Sequence, residues 1–160
     1  MDFIAQLRKT PCFADLDPSR LEEIARFAHR VERPAGAVIF ATGDTHRLLY
    51  LVIEGRVAIQ SEGSTGAPVT LLTAGPGEMF GWSAFVPPHS KTAAAVAMEP
   101  VELLALEAEK LRELCNRDPS VGYRVCDWLN HTIAERLYAA QLAAAEMREN
   151  DRASWVLAFP

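Results

Sequence analysis

The spacing of apolar residues along the chain changes twice, from helical to strand-like and back to helical. In the first segment, Leu21 and Ile24 recur at helical spacing, which predicts an amphipathic helix ending at about His29. From Val31, short apolar runs alternate with turn residues, as in an all-β roll or barrel. After Leu106 the helical spacing returns. The pattern therefore predicts a mainly β protein with flanking helices.

Turn residues divide the β-like part of the chain into short runs, and a roll of about eight strands is expected from their spacing. The runs cover residues 38–40, 48–53, 56–60, 69–73, 79–81, 91–98 and 101–106. We predict one domain over residues 1–160. Its parts are an N-terminal helical segment (1–30), a β-roll (31–106), C-terminal helices (107–150) and a tail (151–160).

The C-terminal helices carry a second apolar pattern. Residues 107–115 predict a short helix, and Asp118-Pro119 signals the start of a long one that runs to about Arg148. Along the long helix a stripe recurs at spacings of three and four, as in a coiled-coil seam, and consists of Cys126, Leu129, Ile133, Leu137, Ala140 and Ala144. Because the distal part would project beyond a small domain, we predict a parallel homodimer through this helix.

Composition excludes several classes of function. Of the 160 residues, 49% are hydrophobic and 23% charged, and the formal net charge of −5 comes without a Lys/Arg cluster, so we expect no direct nucleic-acid binding by this chain. The three cysteines form no C-x-x-C motif, which argues against a cysteine-rich metal site and favours the reducing cytoplasm. No run approaches the roughly 20 apolar residues of a membrane span, so we expect no membrane insertion.

The candidate chemistry lies in residues 75–96. Gly75-Pro76-Gly77 predicts a turn, and residues 82–85 are long enough for one helical turn before Pro87-Pro88 stops it. The stretch contains Gly81, a glycine that permits close approach of a guest, and the backbone amides of Ser83 and Ala84 at a helix N-terminus. Lys91 adds a cation and Thr92 a hydroxyl. Together they are the parts of a small anion site.

This stretch resembles the phosphate-binding cassette of the cyclic-nucleotide-binding domain, found in catabolite-activator-type regulators, protein kinase A regulatory subunits and gated channels. Phe80-Gly81 matches the start of the family pattern and Thr92-Ala93 its end. The resemblance extends from about Phe13 to Leu137. It implies a double-stranded β-helix, a jelly-roll-like β-roll, with N-terminal helices and a C-terminal helix that forms a dimer.

Two positions depart from the family pattern. Trp82 stands where the family has its ribose-binding glutamate, and Lys91 where it has its phosphate-binding arginine, whose bidentate fork lysine lacks. Trp82 either stacks on a bound guest or fills the space of a ribose and closes the pocket. The ligand-binding set implied by the resemblance is Phe80, Gly81, Trp82, Ser83, Ala84, Lys91, Thr92, Ala93 and, from the long helix, Gln141 near a nucleobase.

We therefore expect a regulatory domain that binds a small anionic effector, with cAMP or cGMP as the default, and signals through the C-terminal helix. No cofactor, metal or catalytic activity is expected, because no catalytic or metal-ligand motif occurs; His89 is either a solvated loop histidine or the ligand of a haem. The alternatives are a ligand-free structural or protein-interaction module with a degenerate cassette, and the sensor half of a transcription regulator. We favour a sensor-only protein that reaches a protein partner through the helix end or the tail.

Overall fold

Two four-stranded antiparallel sheets stand at the centre of the computed structural model, which describes residues 2–63 and 66–158. The strands are β1 (Ala28–Arg33), β2 (Val38–Phe40), β3 (Leu48–Glu54), β4 (Val57–Glu62), β5 (Pro68–Ala74), β6 (Met79–Phe80), β7 (Ala94–Ala97) and β8 (Val101–Glu107). The helices are α1 (Phe3–Leu7), α2 (Pro18–Arg26), a three-residue 3₁₀ helix (Trp82–Ala84), α3 (Ala108–Arg117) and α4 (Pro119–Ala158).

The order of strands is β1-β8-β3-β6 in one sheet and β2-β7-β4-β5 in the other. Apart from the hairpin of β4 and β5, neighbours in each sheet come from distant parts of the sequence, so the chain winds back and forth between the sheets as a jelly-roll-like β-roll. The predicted fold class, mainly β with flanking helices and a long C-terminal helix, is confirmed.

Strands β3 and β8 are buried on both faces and separate two apolar cores. On β3, Leu49 and Leu51 point toward the helices, while Tyr50 and Val52 point toward the second sheet. This is the two-residue alternation of a strand, with apolar side chains at both parities. Each fully buried aliphatic side chain contributes roughly 1.5–3 kcal/mol relative to an exposed one, so these strands anchor both cores.

The helices cover the outer face of the β3–β8 sheet. Phe13, from the loop after α1, and Leu21 of α2 reach the same core as Leu111 of α3 and Val125 of α4, and all four are essentially inaccessible. The N-terminal segment and the C-terminal helices therefore share one core.

Helix α4 begins at the predicted capping residue. The Asp118 carboxylate accepts hydrogen bonds from the Ser120 backbone N–H (3.0 Å) and hydroxyl (2.6 Å), and from Arg20 Nε (2.8 Å). These bonds favour the charged carboxylate and lower the pKa of Asp118 to about 2. The cap also ties α4 to α2. Although α4 has 40 residues, no helix in the described part of the chain is both long and apolar enough to cross a membrane.

Several predicted boundaries shift. Helix α2 ends at Arg26 and β1 begins at Ala28, because pairing of Ala28 with Leu106 replaces the helical register before the predicted change at residue 31. Helix α4 continues to Ala158, so residues 151–158 are helical and not a separate tail; residues 159–160 lie outside the described residues. The predicted strand over 91–98 is confined to 94–97.

The predicted dimer stripe divides into two parts. Leu129 is 9% exposed and packs in the helix-side core of its own chain, so its assignment to a partner interface is wrong. The remaining stripe residues are exposed: Cys126, Ile133, Leu137, Ala140 and Ala144. One side of the first turns of α4 thus covers the chain's own sheet, and most of the exposed stripe residues lie in the later turns.

Substitution of Leu129 tests this division. Leu129→Ala is expected to lower the free energy of unfolding by about 2–4 kcal/mol, because it leaves a cavity in the core. Urea unfolding measures the loss, and Lys110→Ala, at an exposed position of α3, should stay within about 0.5 kcal/mol of the parent. A Leu129→Ala effect as small as that of the control would contradict the packing described here.

Candidate ligand-binding site

A cleft of about 900 Å³ lies between the β-roll and α4. The roll contributes one wall, with Phe40, Ile59, Leu72, Thr73, Ala74, Gly77, Glu78, Met79, Phe80, Gly81, Trp82, Ser83, Thr92 and Ala93. Thr10, Pro11 and Cys12, from the segment after α1, also line it. The other wall is α4, with Ser120, Tyr123, Arg124, Asp127, Trp128, His131, Thr132, Glu135 and Arg136. Its volume is that of a small-molecule site.

The cleft brings together part of the predicted ligand-binding set. The residues of that set that line it are Phe80, Gly81, Trp82, Ser83, Thr92 and Ala93. Three others, Ala84, Lys91 and Gln141, do not line it. The cassette therefore faces the cleft, but through fewer groups than the sequence suggests.

Strand β6 fixes the start of the cassette. Phe80 pairs with Tyr50 of β3, and their rings stack with centroids 5.2 Å apart. Gly81 follows with φ of 91°, and a Cβ at this position would lie 3.1 Å from the Leu48 carbonyl oxygen. Both the backbone angle and the close approach to β3 require glycine.

Of the two amides predicted to point outward, those of Ser83 and Ala84, the Ala84 amide is bonded inside the turn. The Ala84 N–H donates to the Gly81 carbonyl (2.9 Å), and the Phe85 N–H donates to the Trp82 carbonyl (2.9 Å). Ala84 is fully buried, because it packs in the core beneath the helices. The assignment of Ala84 to ligand binding is therefore corrected.

Lys91 is buried behind the wall of the cleft and does not line it. Its Nζ donates to the carbonyls of Gly81 (3.3 Å) and Leu48 (3.4 Å) and lies 4.7 Å from the centroid of the Phe40 ring. The side chain is 2% exposed. The structure thus corrects the assignment of Lys91 as the ligand's cation, because backbone carbonyls and an aromatic ring inside the roll already hold its ammonium.

Burial lowers the pKa of Lys91 from its ordinary value of 10.5 to about 8, and the negative charge of Asp44 opposes this shift. An ammonium in this position is charged at neutral pH against a desolvation cost, which the two carbonyls offset only partly. The ammonium of Lys91 therefore binds a carbonyl of the cassette itself and is not directed at a ligand.

Two further basic side chains hold the same turn. His89 Nδ1 lies 3.1 Å from the Ala84 carbonyl oxygen and Nε2 lies 3.2 Å from Arg47 Nη2. Arg112 of α3 donates to the Phe85 carbonyl and lies over the Phe85 ring. His89 is thus neither a solvated loop residue nor a free metal ligand, since both ring nitrogens have protein contacts.

Gln141 lies on an exposed part of α4, beyond the cleft. The last α4 residue on the wall is Arg136, and five residues of helix separate the two by about 7.5 Å along the axis. The predicted contact of Gln141 with a nucleobase is therefore not made within one chain.

Sequence reasoning missed the α4 wall. Its members recur at spacings of three and four beside the apolar stripe, as in Arg124, Trp128, His131 and Glu135. A helix face with so many polar residues is typical of a face exposed to solvent. The sequence pattern of α4 therefore does not indicate that this face lines a cleft. The signal that was available is the pair Tyr123 and Trp128, two large aromatic residues on a mostly polar face.

The two tryptophans of the cleft come from opposite elements. Trp82 belongs to the cassette and Trp128 to α4, and both are partly buried against the helix-side core. With Trp82 on its wall, the cleft keeps its volume of about 900 Å³. Trp82 therefore leaves the pocket open.

The comparisons with known proteins agree with this geometry. Residues 30–118, more than half of the chain, match the family model of the cyclic nucleotide-binding domain, and the chain belongs to that family. The resemblance seen in the cassette is confirmed.

Its relatives include regulators and channels. The chain is 32% identical over 144 residues to the cyclic AMP receptor protein of Thermus thermophilus, covering 90% of this chain and 67% of that protein. It is 34% identical over 112 residues to a cyclic nucleotide-gated potassium channel of Mesorhizobium japonicum, covering 70% and 30%. The solved N-terminal domain of a Streptomyces coelicolor transcriptional regulator has a TM-score of 0.65 at 30% identity, covering 86% and 94%.

The chain thus spans about two thirds of the first of these curated relatives and under a third of the second. The family is regulatory and not catalytic, which confirms the expectation that this chain is not an enzyme.

The pH dependence of stability tests the placement of Lys91. Between about pH 8 and 10.5 the unfolded chain binds more protons at Lys91 than the folded chain does, so this residue makes stability rise with pH. Relative to Lys91→Met, the parent protein should gain stability across this range, with a slope of up to about 1.4 kcal/mol per pH unit.

Urea unfolding of both proteins at several pH values measures the slope. Burial raises the pKa of the Cys12 and Cys115 thiols to about 12 and about 11, which lowers stability as pH rises, but both proteins share this effect. Lys110→Met removes an exposed lysine and should run parallel to the parent. Parallel curves for parent and Lys91→Met would contradict the burial of its ammonium.

Proposed function

We propose that this chain is a regulatory sensor domain that binds a small anionic effector in the cleft, with cAMP or cGMP as the default candidate, and signals through α4. The observation that carries the proposal is the position of the cleft between the cassette and α4. An occupant touches both walls at once, so its binding depends on where α4 lies relative to the roll.

Such a sensor needs a ligand that binds one arrangement of α4 more tightly than another. The first turns of α4 are fixed in the core by Val121, Val125 and Leu129. The cleft-lining residues Thr132 and Arg136 come just after this anchored part, before the exposed turns. Ligand contacts there extend the ordered packing of α4 along its axis.

The output surface that we propose is the open apolar face of α4. Ile133 is 37% and Leu137 is 59% exposed, and Ala140 and Ala144 continue the same face. Pairing of this face with a second copy gives a homodimer. A protein partner is the alternative occupant. We place the sensor in the cytoplasm, because its three cysteines are unpaired.

A ligand-free interaction module is the second candidate function. One observation favours it. The Lys91 ammonium already donates to the carbonyls of Gly81 and Leu48, so it is unavailable to a phosphate. In that case the open face of α4 carries the whole function, and the cleft is a by-product of the fold.

Thermal unfolding with millimolar cAMP or cGMP separates the two functions. Ligand at a hundredfold excess over its dissociation constant adds about 2.7 kcal/mol, and a domain of this size gains roughly 2–4 °C per kcal/mol. We expect the midpoint to rise by about 5–10 °C with the effector nucleotide, accompanied by a change in the fluorescence of Trp82 and Trp128.

Inorganic phosphate and adenosine are the controls for this titration, since each carries only one half of the nucleotide. No shift and no fluorescence change with either cyclic nucleotide would reject both default effectors and favour the ligand-free module.

The oligomeric state tests the proposed role of α4. Leu137→Glu should convert the dimer to a monomer in analytical ultracentrifugation, because it places a charge in the apolar face. Asn116→Glu adds the same charge at an exposed position of α3 and should leave the dimer intact. A parent protein that sediments as a monomer, or a dimer unaffected by Leu137→Glu, would contradict pairing through this face.

A further inference from the structure

Two polar connections join the cassette turn over residues 82–85 to α3, and their side chains do not line the cleft. One is the hydrogen bond that Arg112 of α3 donates to the Phe85 carbonyl. The other is longer, and runs from the turn through His89 and Arg47 to the start of α3. The longer connection contains a histidine, so its chemistry depends on pH.

Arg47 fixes the α3 end of the longer connection. Its Nη1 lies 2.8 Å from Glu109 Oε2 of α3, and its backbone carbonyl accepts a hydrogen bond from the Ala108 N–H (3.0 Å) at the start of the same helix. Its other terminal nitrogen, Nη2, lies 3.2 Å from His89 Nε2. The guanidinium therefore lies between a carboxylate of α3 and the histidine ring of the cassette loop.

These contacts specify which nitrogen of a neutral His89 ring carries the proton. Arg47 has only donors, so Nε2 has to be the acceptor in the contact between them. The Ala84 carbonyl oxygen only accepts, so Nδ1, which lies 3.1 Å from it, has to carry the proton and donate. The ring fits between its two partners only as a neutral imidazole with its proton on Nδ1.

A second proton on the His89 ring breaks one of the two contacts. It enters at Nε2 and turns this atom from an acceptor into a donor that faces the Arg47 guanidinium, so two donors and two positive charges meet. Nδ1 keeps its proton and still donates to the Ala84 carbonyl. Protonation therefore separates His89 from Arg47 and leaves the ring attached to the turn.

The surrounding side chains do not remove this conflict. The charged and titratable groups facing this region are Asp44, His46 and Arg47 before β3, Lys91 on the loop of His89, and Glu109 and Arg112 on α3. The Asp44 carboxylate accepts from the Ala41 N–H (2.7 Å), and Glu109 pairs with Arg47. The His46 ring contacts the Tyr50 hydroxyl inside the roll (3.2 Å). Among these side chains, both carboxylates already have partners, and the remaining charges are positive.

We propose that His89 is a proton-sensitive positioning residue, which connects the cassette turn to α3 when its ring is neutral and disconnects the two in acid. The connection needs no occupant of the cleft, so it does not depend on the proposed effector. Arg112 holds the turn under both conditions, so protonation loosens the turn without releasing it. A change of pH is thus a second input to the domain, beside any ligand.

Nitrogen NMR of the histidine rings tests the first step. In the full chain at about pH 7.5, His89 should show a protonated Nδ1 and an unprotonated Nε2. The ring signals that disappear in His89→Asn identify the residue. A proton on Nε2 at this pH would overturn the proposal, because Arg47 could not then donate to that atom.

Hydrogen exchange of the Ala84 and Phe85 amides tests the second step. Each rate is divided by that of an unstructured peptide at the same pH. Between about pH 7.5 and about pH 5.5, where histidines ordinarily gain charge, protection in the parent should fall by about 2- to 10-fold, the range for one lost hydrogen bond. His89→Asn should show no such fall. Asparagine tolerates the φ of 63° at this position and offers a donor to the Ala84 carbonyl, but it does not titrate.

Two further variants complete the exchange experiment. Arg47→Met should abolish the pH dependence, because a protonated ring then meets no guanidinium. His29→Asn removes an exposed histidine of β1 and should respond to pH as the parent does. Circular dichroism verifies that each variant is folded, and Arg47→Met keeps the test valid if His89→Asn does not fold. Equal losses of protection in the parent and in the folded variants of His89 or Arg47, or no loss in the parent, would refute the role of His89.

Discussion

The burial of β3 on both faces positions every part of the cleft. Its odd-numbered residues Leu49 and Leu51 hold the helices against the sheet, and its even-numbered residues Tyr50 and Val52 fill the roll. The cassette starts in β6, which pairs with the same strand. Because one strand fixes the helix layer, the roll and the cassette, the geometry of the cleft follows from packing that a ligand does not have to create.

The distribution of basic side chains then limits the positive charge that faces the cleft. Three of them, Lys91, His89 and Arg112, contact backbone carbonyls of the turn over residues 81–85. A cation that satisfies a buried carbonyl is not available to an anion without exposing that carbonyl, which costs roughly 1–3 kcal/mol. The cassette therefore keeps its shape through basic groups that would otherwise be available to an anion.

The sequence predicted the layout of the protein better than the directions of its side chains. Apolar periodicity placed the roll between helices, and Phe80-Gly81 and Thr92-Ala93 marked the cassette. The direction of the Lys91 side chain was predicted incorrectly, although the alternation of inward and outward residues along this stretch indicates that it points inward. It shares its parity with Ala93, Ala95 and Ala97, which all point inward, and these small side chains leave room for a lysine among them. Chemical similarity to arginine outweighed that pattern.

The α4 wall could not be predicted, because its role depends on a tertiary distance. Arg136 has the sequence surroundings of a solvated residue, and only the approach of the roll removes its water. The same approach brings α4 within reach of an occupant of the cleft. A ligand that touched only the roll would bind whatever α4 does, whereas a ligand that touched α4 as well would bind tightly only when the helix lies against the cleft. Differential affinity for that arrangement is the condition for a ligand to shift the position of the helix.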